Sequence, residues 1–221
     1  MLTGRIIAIV LGYVFGLFPT GPLVARSHQT DLRKSGSGGT GVTNSIRTMG
    51  WKAGVIVAIG DCFKAILVML VVWLIYRNIC PDMVRLLMLY SGLGAALGHN
   101  FPFYAKFKGG KGIACSVGIV FGFDWRMFPI CTILFFLPII PTGFMSLGSL
   151  SMISALFVQI VVFGQMGWLK IASEFLPEVY VVAAVITGLG YFMHRENLKR
   201  LANGTERKFA PGSKKKAEES K

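Results

Sequence analysis

Predominantly apolar runs cover about 6–25, 54–76, 83–99, 128–145, 146–166 and 177–193, and a shorter one covers 112–123. A helix needs about 20 such residues to cross a hydrocarbon core of roughly 30 Å, so the six long runs predict spanning helices and the short one leaves the count at six or seven. Between the runs lie short polar segments, three of them rich in glycine or in basic residues. The run from Ile6 to Ala25 follows a single Arg and ends without a small-x-small cleavage signature, so it reads as a first span rather than a removable leader.

Composition agrees with a lipid solvent. Hydrophobic residues make up 53 % of the 221 positions, charged residues 15 %, and mean hydropathy is +0.61, which excludes an ordinary soluble domain and a disordered chain. The four cysteines, Cys62, Cys80, Cys115 and Cys131, form no CxxC pair, so neither a zinc nor an iron–sulfur site is expected.

Charge then chooses between six spans and seven. The 23 Lys and Arg against 10 Asp and Glu leave +13, and short loops rich in Lys and Arg stay in the cytoplasm. With seven spans and the C-terminus inside, seventeen cations fall on the cytoplasmic side and five outside, with Lys64 inside a span. With six, the nine-cation tail lies outside. The expectation is an all-α polytopic membrane protein with seven transmembrane helices, N-terminus outside and C-terminus cytoplasmic, the fourth span short, tilted or partly re-entrant. Residues 1–206 form the membrane domain, and 207–221 a basic, disordered cytoplasmic tail that touches anionic lipid and carries no chemistry.

This topology places 33–47, 98–112 and 194–205 on one face. In the first, Gly36, Gly38 and Gly41 let backbone N–H groups converge into an anion-binding concavity; Ser37, Thr43 and Asn44 add side-chain hydrogen bonds and Arg47 a planar fork for phosphate. Residues 36–41 also fit GxGxxG, with Asp61 twenty residues after Gly41, but no strand precedes the motif and Asp61 lies within a span, so dinucleotide binding is rejected. The second stretch carries His99, Asn100, Lys106, Lys108, Gly109, Gly110, Lys111 and Gly112 and ends where a helix begins, a place suited to phosphate. It is not a Walker A loop, because Gly112 and Ile113 follow Lys111. In the third, His194 and Asn197 share one helical side and can position or polarise a reacting group. Asp61 and Lys64, three apart inside the second span, predict a buried ion pair.

Together the three stretches resemble the three motifs of the bacterial acyl-phosphate:glycerol-3-phosphate acyltransferases, the PlsY family, in order, in spacing and over almost the whole chain. The first corresponds through Gly36-Ser37-Gly38, Gly41, Thr43-Asn44 and Arg47. The second corresponds from Gly98 to Gly112, and the third from His194-Arg195-Glu196-Asn197 to Asn203-Gly204-Thr205-Glu206. Asp61 and Lys64 match a recurrent pair of that family. Gly39, Thr40 and Ser45 depart from its usual residues, which bears on loop geometry and leaves Ser37 and Arg47 in place.

The resemblance implies transfer of a fatty acyl group from acyl phosphate to the sn-1 hydroxyl of glycerol 3-phosphate, giving lysophosphatidic acid and inorganic phosphate at the cytoplasmic face of the bacterial inner membrane. It is the first acylation of phospholipid synthesis. Neither metal nor organic cofactor is expected, nor a nucleic acid; the partners are the two substrates, membrane lipid and the enzyme that makes acyl phosphate. Ser37, Arg47, His194 and Asn197 are the expected catalytic residues. Glycine-loop amides and Ser37 hold one phosphate, Arg47 and the lysines near 106–111 balance the other, and His194 with Asn197 orient the hydroxyl or the carbonyl. His194 or the substrate's own phosphate takes the proton, the second being preferred, and no acyl-enzyme on Ser37 is expected because the donor is already activated. Glu196 is expected to hold the third motif through an ion pair. A transporter for a phosphorylated solute, or a non-catalytic lipid-binding protein, is the rival reading; no internal repeat supports the first.

Overall fold

A computed structural model of the chain describes residues 2–209. Its α-helices are α1 Leu2–Gly16, α2 Thr20–Ser27, α3 Val42–Met49, α4 Trp51–Tyr76, α5 Val84–Asn100, α6 Ile113–Phe123, α7 Phe128–Thr142, α8 Met145–Gln165, α9 Leu176–Met193 and α10 Arg195–Ala202. Five stretches are long and apolar enough to cross a membrane: Leu2–Ser27, Trp51–Tyr76, Trp125–Thr142, Met145–Gln165 and Ser173–Met193. The expected third and fourth spans are the shorter α5, of 17 residues, and α6, of 11.

The helices are apolar outward as well as inward, because lipid rather than water surrounds them. On α1, Ile6, Val10 and Val14 are exposed while Gly4, Ala8, Gly12 and Gly16 face inward. That inner stripe of small residues lets α1 lie directly on α5. A Cβ on Gly12 would stand 2.1 Å from Ser91 O, and one on Gly98 2.2 Å from Tyr13 O, so only glycine permits this approach, which replaces hydrophobic driving force with close backbone contact. The core of larger side chains, among them Met69, Leu86, Leu87, Ile119, Ile153, Leu156 and Ile160, lies between α4, α5, α6 and α8.

The first span, expected as one helix, is two. Pro19 offers no N–H and the helix breaks between Gly16 and Thr20. Inside a membrane the carbonyls so freed need partners: the Tyr104 hydroxyl donates to Leu17 O at 2.6 Å and the Lys64 ammonium to Phe18 O at 3.0 Å.

Connections alternate between the two ends of the bundle. At one end the Arg33 guanidinium donates to Lys108 O at 3.4 Å, the Ser146 hydroxyl to Glu206 at 2.9 Å and Phe209 N to Gly143 O at 2.8 Å. At the other, Arg5 pairs with Glu178 at 2.5 Å, and Arg85 and Arg126 face Asp124. The three candidate stretches therefore share one end. Residues 207–209 run back along it, with Phe209 tilted against Trp51 at 6.4 Å between ring centres; the rest of the expected tail, 210–221, lies outside the described residues.

Candidate active site

The first stretch is a loop wound around one side chain. Asn44, on α3, is buried; its Oδ1 accepts from Ser37 N at 2.8 Å, and its Nδ2 reaches the carbonyls of Leu32, Ser35 and Gly39 at 3.1, 3.0 and 2.8 Å. Gly36, at φ 61°, takes the left-handed turn this requires, and a Cβ there would meet Asn44 Oδ1 at 2.2 Å. Asn44, expected as a phosphate ligand, thus spends its side chain on the loop. The departures from the usual motif fit the same design: Gly21 of α2 packs against Thr40 O, and the buried Ser45 hydroxyl donates to Gly41 O at 3.1 Å.

What the loop leaves open is suited to an anion. No side chain caps α3 at Gly41, and among the described residues the N–H groups of Gly39 to Asn44 have no hydrogen-bond partner. An uncapped helix start carries both free donors and the positive end of the dipole. Ser37 is exposed, its hydroxyl unpartnered, and Arg47, one turn into α3 and half-buried, makes no ion pair among the described residues. Thr43 sits at the helix start beside them.

The second stretch divides into an inward and an outward half. His99 points into the bundle, where Lys64 Nζ lies 2.9 Å from its Nδ1 and 2.9 Å from Asp61 Oδ1. The expected Asp61–Lys64 pair is therefore a triad with His99. The ligand atoms of Asp61, His99 and Cys115 lie within 4.8 Å of one another, but the lysine ammonium occupies the place of a cation, so this cluster is an internal ion network. Gly109 and Gly110, expected to bind phosphate, donate their N–H groups to Asn100 O at 3.0 Å and His99 O at 3.1 Å. They must be glycine because a Cβ at either would lie 2.0–2.1 Å from His99. Asn100 is buried under Gly112, which starts α6 at φ 78° without a side-chain cap. Lys106 and Lys108 are exposed, with amines that have no partner among the described residues. A cavity of about 20 Å³ between the helix break, Arg33, Thr40, His99 and Tyr104 has room for about one water molecule, so a larger ligand must lie on the open side of these loops.

Lys111 joins the second stretch to the third: its ammonium donates to Asn197 Oδ1. Asn197 Nδ2 donates to Glu206 at 2.7 Å, and Glu206 also accepts from Arg200 at 2.8 Å and from Ser146 at 2.9 Å. Burial raises the Glu206 pKa, but these hydrogen bonds outweigh it and hold the carboxyl below its ordinary range. Burial and the Arg200 charge push Lys111 down to about 8, with Glu206 opposing. His194, buried at the end of α9, donates from Nδ1 to Gly190 O at 2.8 Å; a carbonyl can only accept, so the neutral ring keeps its Nε2 lone pair free. Burial first, and then the Lys111 charge, push His194 down to about 4.

Glu196 makes the expected ion pair, with Lys199 at 3.3 Å, but on the open surface. The carboxylate that ties the motif together is Glu206, which sequence reasoning placed in the motif without a role. No hydrogen bond among the described residues joins the first stretch directly to the third; the second bridges them through Arg33–Lys108 and Lys111–Asn197.

Comparison with known proteins agrees with this architecture. Residues 6–204 match the family model described as glycerol-3-phosphate acyltransferase. Curated relatives of that name include one from Thermus thermophilus, 35 % identical over 94 % of this chain and 96 % of its own, and one from Bacillus subtilis, 35 % identical over 90 % and 95 %. Two crystal structures of the integral membrane glycerol 3-phosphate acyltransferase PlsY align over 93 % of this chain. The glycerol 3-phosphate form has 29 % identity, TM-score 0.80 and 96 % of its chain covered; the lysophosphatidic acid form has 28 %, 0.76 and 95 %. On sequence and fold together, this chain belongs to the glycerol-3-phosphate acyltransferase family.

Proposed function

We propose that this end of the bundle transfers a fatty acyl group from acyl phosphate to the sn-1 hydroxyl of glycerol 3-phosphate. The hydroxyl oxygen bonds to the acyl carbon, the bond from that carbon to the phosphate oxygen breaks, and the products are lysophosphatidic acid and inorganic phosphate. The observation that carries this reading is that two uncapped helix starts, α3 and α6, lie at one end of an apolar bundle together with Arg47, Lys106 and Lys108, none of which has a partner among the described residues. That end suits two phosphates, and the bundle beside it suits an acyl chain. The solved relatives in glycerol 3-phosphate and lysophosphatidic acid forms support the same acceptor and product.

In this mechanism the α3 amides, Ser37 and Arg47 hold one phosphate, and Lys106, Lys108 and Lys111 balance the second. Acyl phosphate is activated already, so proximity and charge stabilisation supply most of the rate. His194 accepts the substrate hydroxyl's hydrogen bond at Nε2. A base with pKa near 4 is poorly matched to neutral pH, so the leaving phosphate takes the proton. Ser37 has no base within hydrogen-bond reach among the described residues, which leaves it a binding group rather than a nucleophile. The His194→Gln enzyme, whose amide keeps an acceptor, should lose less than about a hundredfold in kcat, the low end of what a general base supplies. A loss beyond about ten-thousandfold, with both substrates still bound, would reassign the proton to histidine.

The seven-span topology, with α5 and α6 as its short members, the N-terminus outside and the site on the cytoplasmic side of the inner membrane, is part of the proposal and is supported by the charge bias. So are the membrane domain of 1–206 with its basic tail and the coupling to the enzyme that makes acyl phosphate. Cys80 then lies outside and should react with an impermeant maleimide added to intact cells; labelling only after the cells are opened would invert the topology.

A further inference from the structure

The end of the bundle opposite the active site has a built cavity of about 340 Å³, within the usual range of about 300–1,000 Å³ for ligand pockets. Its wall combines three cations, Arg85, Arg126 and Lys170, with a single carboxylate, Asp124, and two tryptophans, Trp125 and Trp168. None of these residues takes part in the chemistry described above.

The cations are held so that donors remain unused. Asp124 takes two bonds from the Arg126 side chain, at Nε (2.8 Å) and Nη2 (2.6 Å), and a third from its backbone N–H at 3.1 Å, while Nη2 also reaches Trp168 O at 2.9 Å. The guanidinium lies over Phe163 at 5.4 Å, and Phe163 meets Trp168 edge to face at 5.0 Å. Nη1 of Arg126 is left without a partner among the described residues. Arg85 stands 3.6 Å from Asp124 through Nη1, which also donates to Phe123 O at 3.4 Å, so its second amino group is unused among the described residues. Lys170, held at φ 51°, makes no hydrogen bond or ion pair among the described residues. Three cations against one carboxylate leave the cavity at +2, with a rigid guanidinium edge of the kind that recognises phosphate oxygens.

We propose that this cavity seats the phosphodiester of an anionic phospholipid from the bilayer leaflet opposite the active site. The aromatic residues choose lipid over a free anion. Trp125 is 66 % exposed and Trp168 44 %, and tryptophans at this level of a membrane helix sit among headgroups. A phosphodiester anchored by Arg126, Arg85 and Lys170 therefore has its glycerol beside the indoles and its acyl chains along the apolar outer faces of α6 and α7.

Native mass spectrometry of the full chain in neutral detergent tests this, with phosphatidylglycerol and phosphatidylcholine as competing probes and lysophosphatidic acid present to fill the active end. Phosphatidylglycerol should be retained at least about fivefold more than phosphatidylcholine. Lys170→Gln, an exposed unpartnered side chain whose loss leaves packing untouched, should reduce that preference about threefold; Lys170→Arg should restore it, and Arg85→Gln with Lys170→Gln should abolish it. Arg47→Ala should leave it intact. Equal retention of the two lipids, an unchanged preference in the double variant, or loss of the preference in Arg47→Ala would overturn the proposal. So would displacement by millimolar inorganic phosphate, which would mark a site for free anion.

Discussion

Asn197 stands between a lysine and a carboxylate, and both neighbours are set by it. Its carbonyl oxygen takes the Lys111 ammonium and its amide holds Glu206, so one side chain fixes where the second motif meets the third. Lys111, tied to Asn197 and facing the Arg200 charge, has its pKa lowered to about 8. A lowered lysine pKa means the charge is present below about 8 and lost as pH rises through it. With a free-enzyme pKa near 8, kcat/KM for glycerol 3-phosphate should be about tenfold lower at pH 9 than at pH 7, and Lys111→Arg should flatten the decline. A wild-type profile level to about pH 9.5 would remove Lys111 from phosphate binding. At this scale the sequence identified residue types better than directions. Ser37 and Arg47 are open, as phosphate chemistry requires, but Asn44 and His99 turn inward, because polarity along a chain does not say which side of a loop a side chain takes.

Among the elements, α10 is held by one buried carboxylate and decorated by an exposed one. The Glu206 side chain is 6 % exposed and joins α10 to α8 through Ser146, whereas the Glu196 side chain is 58 % exposed and, among the described residues, pairs only with its own helix. Removing the charge of a buried, multiply bonded acid costs about 1–3 kcal/mol, and losing an exposed i,i+3 pair about 0.5 kcal/mol or less. Glu206→Gln should therefore lower the thermal midpoint in detergent by several degrees while Glu196→Gln leaves it within about one; the reverse order would contradict the assignment. The helices themselves were legible from hydropathy because five of the stretches are long and apolar enough to cross lipid. The break at 17–19 was not, since Pro19 and Pro22 sit in a run whose hydropathy stays high, and the partners that make a break tolerable, Tyr104 and Lys64, come from other elements. The short α5 was legible as an apolar helix but not its closeness to α1, which depends on glycines of both helices meeting in space.

For the molecule as a whole, the bundle separates its chemistry by end. The basic loops, the two uncapped helix starts and the His194–Asn197 pair gather at one end; the Asp124 and Glu178 ion networks close the other. Charge asymmetry along the sequence already implied a common face for the three motifs, and their geometry follows from helices that alternate in direction. The number of spans was less legible, because the 17-residue α5 and the 11-residue α6 both fall short of the length that the five long apolar stretches reach. The most direct test of the account is turnover by purified protein in liposomes, with palmitoyl phosphate and glycerol 3-phosphate, beside palmitoyl-CoA and the Arg47→Ala variant. Equal amounts of lysophosphatidic acid and phosphate from acyl phosphate, none from the thioester, and at least about a hundredfold loss in the variant are the expected results. Turnover from the thioester alone, or an Arg47→Ala enzyme as active as the wild type, would contradict it.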